Sequence, residues 1–222
     1  MGVIFLRSIY LPWLLVLCLN VMAQDLALGQ TYRGRARYPR KPEIHSINIR
    51  YREAKPPPSL DQNIGLTIAV APFHDSRHGR LYIGHHKSLR KISNYFKSEP
   101  FPLEKAIREF FSEALSHSGI QTIFVSSWDG NPEALKDLEA DSILRIDMKR
   151  FWIEAEAVGG RTRVNTSFYF DIFLGVKKEK SVLKQKVYVG KEMMDSNFTP
   201  EKLENFINRT LSNVFDDFFG SL

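Results

Sequence analysis

The stretch DSILRIDMKRFWIEAEAVGGRTRVNTSFYFDIFLGV, residues 141–176, reads as two long strands and the turn between them. Val164, Thr166, Phe168, Phe170, Ile172, Leu174 and Val176 recur at every second position, the period at which a strand repeats one face. Gly159-Gly160 supplies a two-residue hairpin turn. That turn sets Glu156 opposite Arg163, an attractive cross-strand pair. The first strand has a fault in its phase. Leu144, Ile146 and Met148 share one face, whereas Phe151 and Ile153 fall on the other. One extra residue restores the match, so the sequence predicts a β-bulge at Lys149-Arg150.

Working outward, IGLTIAVAPF (64–73) alternates and is β-branched, and Pro72 marks its end as a strand. PLEKAIREFFSEALSHSG (102–119) places Leu103, Ile107, Phe110, Phe111, Ala114 and Leu115 on one helix face, with Gly119 as its stop. IQTIFVSS (120–127) is a second strand, parallel to the first by the strand–helix–strand rule. NPEALKDLEA (131–140) predicts a short helix, and SVLKQKVYVGKEM (181–193) a strand antiparallel to its predecessor. Thr199 and Pro200 open an apolar-striped helix that Gly220 closes. The expected fold is α+β, in the order β-α-β-(α)-β-β-β-α: a mixed five-stranded sheet with both long helices on one face. The intervening loop, 78–101, is long enough to suggest a functional role.

The chain has 222 residues, is 43% hydrophobic and carries a net charge of +6. Its first 23 residues read as a secretory signal, with Arg7 before an apolar run from Ile9 to Ala23. Cleavage after Ala23, cleavage after Gly29 and retention as an anchor all remain open. The single cysteine, Cys18, lies inside this run behind Leu17, a poor lipidation context. A processed chain has no cysteine, which excludes disulfides, thiol catalysis and Cys-ligated zinc. An exported chain without disulfides points to the bacterial periplasm or the outer-membrane periphery.

Residues 24–62 read as a basic, proline-rich and largely disordered linker, which leaves 63–222 as the single folded domain. Between Thr31 and Lys55 eight cations stand against two anions, which equals the whole net charge. The rest of the chain is formally neutral, which argues against nucleic acid as a partner. Arg33, Arg35, Arg37, Arg40 and Lys41 are the residues expected to meet an anionic membrane surface.

The stretch APFHDSRHGRLYIGHH (71–86) holds four of the six histidines. A metal-dependent hydrolase built on His74, Asp75 and His78 is one reading, since His and carboxylate are zinc ligands. The residues follow a strand exit and lack helical spacing, so the expectation is no metal, no cofactor and no catalytic residue. Asp75 and Arg77 are instead expected to brace the turn. Phe151, Trp152, Tyr169 and Phe173 cannot all face the helix-covered core. Those on the other sheet face are the candidate partner surface.

The signal, IAVAPFHDSR with Asp75 and Arg77 at the strand exit, YIG at Gly84, the Gly-Gly hairpin and the last amphipathic helix together resemble the YajG-like family of bacterial envelope lipoproteins. The layout is similar, more distantly, to the auxiliary lipoproteins of ABC-type lipid transport systems. The resemblance covers about 64–219 and implies a non-enzymatic accessory protein with an envelope partner, in which Asp75, Arg77 and Gly84 are motif residues. An auxiliary role in lipid or solvent transport is the alternative it implies. The chain departs from the family in its lipidation context and in its basic proline-rich segment.

Overall fold

The alternation in 141–176 builds a hairpin on which every other element is hung. The computed structural model describes residues 41–52, 60–89 and 93–222. The strands are β1 (Ile44–Asn48), β2 (Thr67–Val70), β3 (His74–Asp75), β4 (Gly84–Lys87), β5 (Ser93–Glu99), β6 (Gln121–Phe124), β7 (Ser142–Val158), β8 (Arg161–Val176) and β9 (Ser181–Asp195). The helices are α1 (Asp61–Ile64), α2 (Leu103–His117) and α3 (Pro200–Gly220), with a 3-10 turn at Pro132–Leu135.

β7 has two unequal edges. One pairs antiparallel with β8 along its whole length, and β8 in turn pairs with β9. The other edge is shared in succession by β2 at Ser142–Leu144, β3 at Asp147–Met148 and β4 at Ile153–Glu156, all parallel. β6 extends the sheet beyond β2, while β5 and β1 extend it beyond β4. The register of β7 and β8 shifts between Met148 and Arg150, so Lys149 is the extra residue of the expected bulge. Gly159 and Gly160 have φ of 57° and 79°, and Glu156 pairs with Arg163 as anticipated.

The main core lies between the sheet and both long helices. Leu144, Ile146 and Met148 enter it before the bulge, and Phe151, Ile153 and Ala155 after it. Phe151 stacks on Phe168 at 4.3 Å. A smaller cluster occupies the opposite face, where Trp128 and Leu135 cover Ala69, Ala71 and Ile143.

Four expectations are corrected. The described residues form nine strands, not five, and their order differs accordingly. Residues 131–140 make only the 3-10 turn, not a regular helix. The span 78–101 is not one open loop, because it contains β4 and β5, held in antiparallel register from Gly84↔Phe96 to Lys87↔Ser93. The compact unit begins at Pro42 rather than 63.

The last correction has a specific cause. β1 pairs parallel with β5, and Ile47, Ile49 and Tyr51 are buried. The opposite edge of this segment faces α3 instead of a strand. The backbone N–H groups of Asn48, Arg50 and Arg52 donate to Glu204 Oε2 (3.0 Å), Asn208 Oδ1 (3.2 Å) and Ser212 Oγ (3.0 Å). Asn208 Nδ2 returns a bond to the Asn48 carbonyl at 2.8 Å. Alternate strand residues advance about 6.6 Å and every fourth helix residue about 6 Å, so the two rows stay in step for three bonds. Asn208→Ala leaves a donor and an acceptor without partners and is expected to cost about 1–3 kcal/mol for each group, read as a lower urea midpoint.

Candidate functional site

The motif residues 75, 77 and 84 lie where the shared edge of β7 is broken between β3 and β4. Asp75 and Arg77 are both buried. Arg77 donates from Nη2 to Asp75 Oδ2 at 2.6 Å and from Nε to Oδ1 at 2.9 Å. Its backbone N–H also reaches Oδ1, at 3.0 Å. Nη1 donates to the carbonyls of Tyr82 and Phe151, each at 3.2 Å. The guanidinium therefore supplies a donor to the Phe151 carbonyl of β7 in the gap between β3 and β4. A Cβ on Gly84 would overlap the Ile153 carbonyl oxygen, so close approach of β4 to β7 requires glycine.

This geometry bears on the metal reading. His74 and His78 are exposed, while both oxygens of Asp75 are engaged by Arg77. The three residues do not converge. No cluster of three or more potential metal ligands occurs among the described residues.

The bulge divides the aromatic quartet. Phe151 is brought into phase with Ile146 and Met148 and belongs to the core, so it drops out of the candidate partner surface. Trp152, Tyr169 and Phe173 lie on the face away from α2 and α3. The register there groups side chains in cross-strand rows. Arg145, Phe173 and Lys184 form one row, Arg150, Tyr169 and Tyr188 another, and Trp152, Ser167 and Gly190 a third. Tyr169 and Tyr188 stack at 4.0 Å with 15° between their planes, and Tyr188 is 70% exposed. Its hydrogen bond with Tyr188 holds the Tyr169 hydroxyl above the ordinary tyrosine range. Phe173 carries the Arg145 guanidinium at 4.3 Å and the Lys184 ammonium at 5.0 Å. Beside Trp152, Ser167 and Gly190 leave the sheet surface low.

His85 meets Trp152 edge-on at 5.5 Å and lies 3.4 Å from Glu154, which also pairs with Lys87 at 3.0 Å. The Lys87 hydrogen bond is the main reason the Glu154 carboxyl lies below its usual range. Tyr82 and Tyr95 add a second stacked pair at 4.6 Å. The face suits recognition by stacking and ion pairing. Sequence reasoning missed Tyr188, His85, Tyr82 and Tyr95; the even-numbered phase of β9 was the signal available for Tyr188.

Arg33, Arg35, Arg37 and Arg40, the signal segment, Cys18 and both cleavage positions lie outside the described residues, and Lys41 is exposed. No helix among the described residues is long and apolar enough to cross a membrane.

No family model matches the chain. No curated protein matches it either. Among solved structures it is similar to a DUF330 protein from Xanthomonas campestris, at 14% identity and a TM-score of 0.49, over 80% of this chain and 92% of that one. It is also similar to lipoprotein GNA1162 from Neisseria meningitidis, at 11% identity and a TM-score of 0.38, over 68% and 98% of the two chains. Likeness at this level assigns neither an activity nor a partner.

Two outcomes are expected. Arg77→Ala leaves Asp75 buried without its counter-charge and should lower stability by about 3–5 kcal/mol in denaturant unfolding. His86, packed on Phe198 at 4.9 Å, is held below the usual histidine value by burial first and then by His45 and His85. An unfolded chain therefore takes up the proton first. The His86 contribution is complete above about pH 6.5 and is lost as pH falls toward the folded value. The urea midpoint of the native chain should decline between about pH 7 and pH 5.5, and His86→Gln should flatten that decline.

Proposed function

We propose that this chain is a non-enzymatic accessory protein of the bacterial cell envelope that binds a protein partner through the outer face of β7, β8 and β9. The observation that carries the reading is the aromatic strip of Trp152, Tyr169 and Tyr188, which sits on the sheet face away from α2 and α3. Large aromatic side chains flanked by charge are the composition of protein-binding surfaces. The export signal read at 1–23, the absence of cysteine after residue 18 and the YajG-like layout support an envelope setting. Arg33, Arg35, Arg37, Arg40 and Lys41 would hold the protein near an anionic membrane surface. Asp75, Arg77 and Gly84 serve this function by fixing β7, not by touching the partner.

An auxiliary role in lipid transport is the second reading. The alternation of rows disfavours it, because Asp147 and Asp171 form a charged row between the aromatic ones and interrupt any apolar lane for an acyl chain. The hydrolase reading is disfavoured by the commitment of Asp75 to Arg77.

In-cell photo-crosslinking tests the proposal. A crosslinker at Asn165, exposed on the outer face, should capture an envelope protein that the same group at Arg209 on α3 does not. Trp152→Ala should reduce that capture about tenfold or more, as loss of a central aromatic anchor does. Equal capture from both positions, or capture indifferent to Trp152, would refute the assignment of this face.

A further inference from the structure

β9 is bonded to β8 on one side, and among the described residues no strand pairs with its other side. It is 15 residues long. Free edges of this length are usually kept short, bulged or polar, because they offer a template to another chain. β9 is instead regular, and it carries three exposed large apolar side chains: Leu183, Tyr188 and Met194 are 42%, 70% and 46% exposed. Its lysines at 184, 186 and 191 make it look protected. Their positions give a different answer.

The strand is chemically palindromic about Tyr188. Val187 is mirrored by Val189, Leu183 by Met193 and Val182 by Met194. Lys184 is mirrored by Glu192. In an antiparallel pairing of two copies with Tyr188 on the two-fold axis, every residue faces its mirror. Each apolar side chain of β9 then meets an apolar one, and Lys184 of each copy faces Glu192 of the other. Lys186 faces Gly190 and Lys191 faces Gln185, so no like charges are opposed. The mirrored residues share a sheet face, since their separations are even. Sliding the pairing by two residues spoils this. One direction sets Lys191 against Leu183 and Glu192 against Val182; the other sets Lys191 against Val187 and Lys184 against Met194.

We infer that β9 is a homodimerisation edge, closed antiparallel about Tyr188 by a second copy of this chain. The two-fold pairing is isologous and closes, so it consumes both free edges. The strand pair spans about 48 Å. The dimer joins the stacked Tyr169 and Tyr188 of each copy into one row of four rings. The inference goes beyond the partner-binding reading and does not rest on it.

Sedimentation velocity of the full chain, released from its host in mild detergent, tests the edge. The native chain should sediment as a dimer that dissociates on dilution. Lys184→Glu alone opposes two pairs of like charges and should raise the dimer dissociation constant about tenfold, as should Glu192→Lys alone. The double exchange, Lys184→Glu with Glu192→Lys, should restore it. The Lys184 contact on Phe173 is absent from both Lys184→Glu and the double exchange, so recovery between those two reports the intermolecular pair. Amide exchange along β9 should be slow in the native and doubly exchanged chains and fast in the single variants. Equal thermal midpoints for the diluted monomers would show that folding is unaffected. A chain that stays monomeric at about 100 μM would overturn the inference. So would a dimer indifferent to either single change, one the double exchange fails to restore, or β9 amides protected only by a different protein. Retained dimerisation in Trp152→Ala, alongside lost crosslinking, would separate this edge from the partner face.

Discussion

The structure depends on the buried pair of Asp75 and Arg77. β7 is 17 residues long, and no single strand on its parallel edge matches it. That edge is assembled from three short pieces, and the gap between the second and third falls beside the bulge at Lys149. A β-sheet interior cannot leave carbonyls unanswered at such a gap. Arg77 answers the Phe151 carbonyl with its guanidinium, and Asp75 holds the guanidinium in place through three side-chain bonds. Burying two charges is costly. Here the hydrogen bonds are complete enough to offset that cost, and arginine is required because lysine lacks the planar fork.

A second buried polar set solves a related problem at the far side of the sheet. The chain from Asn48 to Arg52 has a free edge that meets α3 and not another strand. Glu204, Asn208 and Ser212, four residues apart on the helix, take the place of a strand backbone. Asn208 and Ser212 are fully buried, which would be unfavourable on an apolar helix stripe without these partners. In both places a side chain substitutes for a missing strand.

That substitution sets the limit of what was legible in the sequence. The hairpin, its bulge, the Gly-Gly turn, the parallel β2–β6 pair and the two amphipathic helices all rest on local periodicity, which a sequence displays. β1 was hidden because the residues that satisfy it lie about 160 positions away on α3. Its arginines and prolines gave the composition of a linker, although Ile47, Ile49 and Tyr51 alternate as a strand should. β3, β4 and β5 are two, four and seven residues long and rich in polar side chains, too short for a period to emerge. For the candidate face, Trp152, Tyr169 and Phe173 could be picked out because β7 and β8 had a predicted register. Phe151 was drawn in with them, although the predicted bulge already placed it in the core. Tyr188 escaped notice because lysines surround it.

The bulge also links the interior to the outer face. Were Lys149 paired in the ladder and not bulged out of it, Trp152 would point into the core and Phe151 outward, since a one-residue slip reverses every side chain beyond it. The Arg77 bond to the Phe151 carbonyl fixes the strand just past that slip, one residue before Trp152. The row of Trp152, Ser167 and Gly190 therefore owes its orientation to a buried ion pair on the other edge of β7. A change at Asp75 or Arg77 would alter the outer face without any contact to it, because the same residue count that packs Phe151 on Phe168 presents Trp152 to solvent.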